Sequence, residues 1–364
     1  MGLFTRNQTP TVTPSVDVAA ADIAPWNTAY AGYIWGNATC TRTEAMSVPA
    51  IARIRNLICS TVASLPLEQR YKMDGSTVEP QRVINQPDPR IPGATVYAWL
   101  AEDILFDGVG YGIVMEQYSE DSRIKAWTRV APERITPLLN AMSTEVTGYM
   151  LDGNPTPISG VGSIIQFPGM DEGLLNRAGR TIRMALNLEK AAENYAKEPL
   201  PLMVLKSSGN NLPKERVTAL LESWKVARQT RSTAFMNADV DLQAIGFDPK
   251  SMQLSEGRQY VALELARAAG IPAYFISAES TSMTYSNAQN ERKSLIDFSL
   301  RPILTSIEQR LSMWDFIPSN QYIEYDMDDF LRGNALERAQ VYEILNRIGV
   351  MTPEQIAQEE DLVK

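Results

Sequence analysis

The sequence predicts an α+β fold, and three observations predict it. Apolar runs of strand length, separated by polar or Gly and Pro turns, alternate with short helix-period segments through the first half. From about residue 174 the spacing changes to long helical repeats that bracket a small strand, helix, strand (βαβ) insert. A long helix containing a proline then leads to a last strand and two short helices.

Taken in order, residues 1–25 hold too few large apolar groups to fold alone and are expected to form a mobile arm. Ser47 is placed to cap a helix with Pro49 in its first turn, and Ile51, Ile54, Ile58, Val62 and Leu65 repeat at helical spacing up to Pro66. A second helix covers about Val96 to Leu105. Strand-like runs lie at Leu67 to Met73, Tyr111 to Tyr118, Ile124 to Val130, Val146 to Leu151 and Ser163 to Phe167, with mostly antiparallel pairing expected. From Leu174 to Lys197, Leu175, Ala178, Ile182, Ala185, Leu188, Ala192 and Tyr195 form a helical stripe. Its small residues permit close approach of another helix, and Arg177, Arg180 and Arg183 lie off it. The insert reads as strand Leu202 to Lys206, helix Pro213 to Arg228 and strand Val240 to Ile245, before a returning helix at about Ser251 to Ala269.

After Gly270-Ile-Pro272 comes a polar segment, residues 277–286. Ser286 and Gln289 have capping-box spacing, and Ile296, Leu300, Ile303, Leu304, Ile307, Leu311 and Trp314 share one apolar face. Pro302 falls inside that helix, so a kink is predicted near Ser299 to Pro302. A strand at Tyr322 to Met327 precedes two closing helices. Asn334 with Glu337 caps the first, Gly349 ends it, and Thr352-Pro-Glu-Gln355 opens the second.

Composition removes several chemistries. The 364 residues contain no histidine, which excludes Ser-His-Asp and Cys-His sites and the HExxH zinc helix. No Gly-Lys dipeptide occurs, so there is no Walker A loop. Cys40 and Cys59 lack metal-ligand spacing and read as reduced thiols, Cys59 as a small apolar residue on a helix. No apolar run approaches the roughly 20 residues of a membrane span, and the N-terminus lacks a secretory signal, so neither membrane insertion nor export is expected. The net charge is −9, of which Asp315 to Lys364 carries −7 from eleven acidic and four basic residues. A protein so charged does not grip duplex DNA, because affinity for duplex comes from Lys and Arg displacing counterions.

Four constellations remain. Gly108-Val-Gly-Tyr-Gly112 superficially matches a dinucleotide loop, but a helix precedes it and a strand follows, the reverse of what that loop needs. Glu324, Asp326 and Asp328 alternate onto one face of a strand and could hold Mg²⁺ in a nuclease or other phosphoryl-transfer enzyme; the simpler reading is a solvated strand edge. The insert helix carries Lys214, Arg216, Lys225 and Arg228 beside Trp224, a candidate docking face. Residues 277–286 lack cations and read as a loop.

The ordered set Gly270-Ile-Pro272, the Ser/Thr-rich loop, Tyr285-Ser-Asn287, Leu300-Arg-Pro302 and Ile307-Glu308 resembles the signature of HK97-type portal proteins of tailed phages. Val48 to Leu67 ending in Ser64-Leu-Pro-Leu67, Trp224, and Thr352-Pro-Glu-Gln355 agree, so the resemblance spans about residues 45–360. Two features depart from it. Gly108-Val-Gly-Tyr111 stands where the family often has Gly-Asn-Ala-Tyr, and the chain stops soon after the last helix pair, which implies a small crown.

The resemblance implies a portal-type fold and a structural role in a ring, commonly of twelve subunits, at one capsid vertex, without catalytic residues, metal or cofactor. In it residues 26–172 form the wing, 173–197 and 248–270 the stem, 198–247 the clip, and 271–286 the tunnel loop segment. Residues 287–314 form the long helix, 315–333 the strand returning to the wing, and 334–364 a short crown. Ser280, Thr281, Ser282, Met283 and Thr284 would line the narrowest part of the DNA channel, with Ser286, Asn287 and Pro302 capping and kinking the supporting helix. The large terminase subunit would dock on Lys214, Arg216, Trp224, Lys225 and Arg228, and head-completion proteins would later replace it. The implied partners also include the major capsid protein and duplex DNA passing non-specifically, with assembly in the host cytoplasm and residence in the virion. A monomeric capsid-associated adaptor and the Mg²⁺-dependent enzyme are the alternatives.

Overall fold

The computed structural model describes residues 40–140, 146–197, 203–207, 214–230, 240–244, 254–276, 293–327 and 335–360. The chain divides into two compact units, one of Met1–Ile182 with Leu265–Lys364 and one of Arg183–Glu264. It passes from one to the other inside two helices, Leu174–Lys197 and Leu254–Ala268.

Two helices organise the core of the larger unit. Pro49–Ser64 begins with Pro49, whose missing N–H would have no helical partner there, and it buries Ile51, Ile54, Ile58 and Val62. Its N-cap is Val48, not Ser47; the Ser47 hydroxyl instead donates to Glu44 O (2.6 Å), at the end of a short preceding helix, Arg42–Met46. Five residues are too few to show periodicity, but Thr41 and Glu44 form both halves of a capping box. The second helix, Gly93–Asp107, ends on Gly108 in the left-handed conformation (φ 72°). A Cβ on Gly108 would lie 2.4 Å from Asp171 O, and one on Gly173 would lie 2.4 Å from Phe106 O. These two glycines let the following loop cross the helix end at backbone distance, which sets where Leu174–Lys197 departs.

Every described strand pair is antiparallel. Strand Gln321–Tyr325 returns from the far end of the sequence to pair with Leu67–Tyr71, which pairs in turn with Thr77–Val78. A second sheet runs in the order Ile124–Val130, Val109–Gln117, Ile164–Pro168. There Trp127 packs against Phe167 and Phe167 against Phe316 as tilted pairs, with centroids 5.1 and 6.4 Å apart. A third holds Ile135–Leu139, Val146–Leu151 and Asn154–Pro155. Ile135–Leu139 escapes sequence reading because Pro137 sits mid-strand; it is an edge strand, where a missing donor is tolerated.

From Lys293 to Leu311 the chain is helical. Where the sequence predicts a kink, Ile296–Leu300 forms a π-turn closed by Arg301 N–H donating to Ile296 O, and α-geometry resumes with Pro302 in its first turn. Widening the turn accommodates the donor and the space that proline removes. Ile296, Leu300, Ile303, Leu304, Ile307 and Leu311 are buried as one face, but Trp314 does not extend it: the helix stops at Leu311 and the indole is 70% exposed. Arg310 fixes this helix to the second sheet, donating to Gln166 O (3.0 Å) while held by both oxygens of Asp315 (2.9 and 2.7 Å). Glu308 and Ser312 accept from Tyr325 N (2.9 Å) and Ile323 N (2.8 Å), satisfying donors on the outer edge of the returning strand.

In the smaller unit, Met203–Ser207 and Val240–Ala244 enclose Lys214–Thr230 in sequence. They pair antiparallel, so the helix belongs to a hairpin connection and not to the crossover of a parallel βαβ unit. Gly257 faces Leu188 of the other long helix, and a Cβ there would meet it at 3.7 Å, an ordinary packing distance. At the C-terminal end, Gly349 (φ 77°) closes Ala335–Arg347 with Val350 N–H on Leu345 O (3.0 Å). Thr352 and Gln355 exchange the capping-box bonds predicted for the next helix, while Asn334 lies outside the described residues.

Candidate functional site

Among the described residues, a dense charge cluster is buried in the larger unit. Asp103, with a side chain wholly inaccessible, accepts from Arg129 Nε (2.7 Å) and pairs with Arg42 Nη1 (2.9 Å). Arg42 also pairs with Asp107 and lies over the Phe106 ring at 5.6 Å, and Arg55 Nε donates to Glu102 (2.7 Å). Burial raises the Asp103 and Asp107 carboxyls, against the pull of the arginines. Burial would lower Arg42, but Asp103 and Asp107 outweigh it and raise it. Each acid is matched by a guanidinium, and the cluster joins Arg42–Met46 to Gly93–Asp107; its work is to hold helices together. Cys59 is buried beside it, its thiol pushed up to about 12 by burial, so it is an inert core residue.

Of the acidic triad, Glu324 is committed elsewhere. It stands opposite Glu68 in the strand register, and Arg70 lies between them, 2.8 Å from each carboxylate, cancelling a like-charge pair. Asp326 follows the strand, donating its N–H to Pro66 O (2.9 Å), and Asp328 lies outside the described residues. Among the described residues no three His, Cys, Asp or Glu side chains group to hold a metal. Gly110 and Gly112 are packing residues: a Cβ on Gly110 would lie 2.4 Å from Leu100, and one on Gly112 would lie 2.5 Å from Trp127. A cleft of about 240 Å³ near Ile58, Met170, Gly270 and Pro302 is smaller than the roughly 300 Å³ at which small-molecule pockets begin.

The insert helix has a different character. Lys214, Arg216, Trp224, Lys225 and Arg228 all fall on Lys214–Thr230. Lys214 is exposed, and Trp224 is half-buried with an indole N–H that is buried and has no acceptor; the side chains of Arg216, Lys225 and Arg228 lie outside the described set. Val217 and Leu221 are exposed, and with Trp224 they stand four and then three residues apart, on one face. That apolar face was available to sequence reading at those spacings but is masked there by the charges between. The unit Arg183–Glu264 carries eleven basic and ten acidic residues, a net +1, leaving −10 for the rest of the chain.

Ser280, Thr281, Ser282, Met283, Thr284, Ser286 and Asn287 lie outside the described residues. What flanks them is well defined. Before them, Leu254–Ala268 closes on Gly270 (φ 67°) with Ile271 N–H on Ala266 O (3.0 Å). After them, Ser299 in the π-turn donates to Gly270 O (2.6 Å), tying the two ends together.

The family model described as phage portal protein matches residues 49–361. The chain is 23% identical over 354 residues to a probable portal protein of Streptomyces phage phiC31, covering 89% of this chain and 76% of that protein. Among solved structures, it resembles an HK97 family phage portal protein from Corynebacterium diphtheriae with a TM-score of 0.66 and 26% identity, covering 81% of this chain and 98% of that one. It also resembles a chain from the neck of a native gene transfer agent particle computed with C12 symmetry, with a TM-score of 0.56 and 17% identity over 86% of this chain and 89% of that one.

Proposed function

Because the chain belongs to the phage portal protein family, we propose that its copies close into a ring of twelve at one vertex of a capsid, through which duplex DNA is packaged and later ejected. The observation that carries this reading is the reach of the family match, residues 49–361, which takes in both compact units and the strand that returns to close the first sheet. In this reading 173–197 and 248–270 form the stem, 198–247 the clip, and Ser280 to Thr284 line the narrowest passage. The charge distribution suits a conduit: −10 outside the insert repels phosphates, so DNA slides without being gripped. Packaging energy comes from an ATP-hydrolysing partner, the large terminase subunit, docked on Lys214–Thr230, with head-completion proteins taking its place afterwards. The ring sits against the major capsid protein in the virion, having assembled in the host cytoplasm.

Negative-stain imaging and native mass measurement of the purified protein test the reading. Rings of high rotational symmetry are expected; a strict monomer at every concentration would sink it.

A further inference from the structure

The apolar cleft of the larger unit matches, in size and in place, a stretch of this same chain. Its walls are Ile58 from Pro49–Ser64, Ile104 and Leu105 near the end of Gly93–Asp107, and Pro302 and Ile303 from the helix after the π-turn. All of these belong to the larger unit. Its volume of about 240 Å³ exceeds the roughly 150 Å³ cavity that accepts a benzene ring and falls short of a metabolite pocket. The cleft is a space for one aromatic side chain. Met170 and Phe298 also line it, yet they are 55% and 74% exposed, so its opening has an apolar rim of the kind that anchors a docked segment. The charged residues of the lining are Asp171, Arg177 and Arg267, one acid against two bases.

Position, composition and charge select the occupant. The described chain starts at Cys40, and Arg42 pairs with Asp107 and lies over the Phe106 ring, immediately beyond Leu105 on the same helix. The chain ahead of Cys40 is thus delivered to within about one helix diameter, roughly 10–12 Å, of the cleft. Residues 26–35 hold Trp26, Tyr30, Tyr33 and Trp35, four aromatics in ten residues against 8% over the whole chain, so ring-shaped anchors are concentrated there. Trp35 stands five residues before Cys40 and can reach about 17 Å from it, enough to span that distance. Residues 7–39 carry Asp17 and Asp22 and no Lys or Arg, the complement of a lining with more bases than acids.

We propose that residues 26–35 dock on this cleft of their own chain, with the Trp35 indole inside it and Tyr30 and Tyr33 over Met170 and Phe298. Gly270 and Ser299 line the cleft as well, and there the Ser299 hydroxyl donates to Gly270 O (2.6 Å). The docked segment therefore braces the joint between the end of Leu254–Ala268 and the π-turn. The test places a photo-cross-linking residue at Met170 or at Phe298 of the full chain, in a mixture of isotopically labelled and unlabelled protein, and maps the linked peptides. Links to residues 26–39 of the same chain are expected from both positions. Trp35→Ala should reduce them about tenfold and quicken amide exchange at Ile303 and Leu304 by a similar factor, with exchange in Ile124–Val130 unchanged, while Trp35→Phe keeps the links. Links between labelled and unlabelled chains, links to another segment, no link from either position, or links undiminished in Trp35→Ala would each overturn the proposal. The links of the parent chain decide the matter even where Trp35→Ala fails to fold. The ring reading stands or falls separately, on the mass of the unmodified protein.

Discussion

The larger unit and the insert use the same residue types in opposite ways. In the larger unit charged side chains are matched to one another: Asp103 with Arg42 and Arg129, Glu68 and Glu324 with Arg70, Asp315 with Arg310. In the insert Lys214 is exposed on a helix whose Val217, Leu221 and Val226 are exposed too. The net charge divides accordingly, −10 against +1. One unit directs its chemistry inward to fix a shape, and the other presents chemistry outward to be met. Substitutions at these matched ion pairs should therefore cost stability, and substitutions on the exposed insert helix should cost partner binding.

The largest effect is expected at Asp103. Asp103→Ala leaves Arg42 and Arg129 largely buried without their shared carboxylate, and breaking such a pair costs about 3–5 kcal/mol. Lys214→Ala, on the exposed insert helix, should stay within about 0.5 kcal/mol of the parent. Denaturant midpoints decide the matter, and equal midpoints for the two variants would erase the contrast between the units.

A smaller effect is expected in acid. The buried Asp88 carboxylate accepts from Arg90 through Nε (3.0 Å), Nη2 (2.8 Å) and the backbone N–H (2.9 Å), and the guanidinium bonds hold it well below the usual carboxylate range despite burial. A depressed native pKa contributes stability that is fully present above the unfolded value near 3.8 and is lost as pH falls through the native one. Stability should therefore decline below about pH 4. Asp88→Asn should flatten that decline and cost about 2 kcal/mol at neutral pH. An acid limb unchanged by the substitution would show that Asp88 is not among the groups that set it.

The contrast also explains what could be read from the sequence. Helices such as Pro49–Ser64 and Leu174–Lys197, and the strand Ile124–Val130, declare themselves because period and burial coincide along one segment. The ion cluster of Arg42, Arg129, Asp103 and Asp107 does not, because its members meet only after distant elements pack. Pro302 announces a disturbance but not its form, since kink and π-turn both answer a missing donor. Likewise Trp314 fits the helical period of Leu311 and Ile307, yet the helix ends before it, and the indole serves the surface. For the site, Trp224 and Lys214 could be found from composition, whereas the apolar face through Val217 and Leu221, present in the spacing, is hidden by the charges between until exposure picks it out.

A stability effect smaller than those at Asp103 and Asp88, and the sharpest test of the contrast, is expected at Trp224. Its half-buried ring contributes about 1–1.5 kcal/mol by burial, while its buried, unaccepted indole N–H costs about 1–3 kcal/mol. Trp224→Ala should thus leave stability within about 1 kcal/mol of the parent, and Trp224→Phe, which keeps a ring and removes the orphan donor, should stabilise by about 1 kcal/mol. If docking turns the indole outward so that its N–H, buried in the free chain, meets an acceptor of the partner, both variants will form intact rings and both will lose terminase-driven packaging, Phe included. Packaging restored by Phe would make the site one of ring packing alone, and dissolution of the ring by Ala would place Trp224 in the assembly and remove it from the docking face.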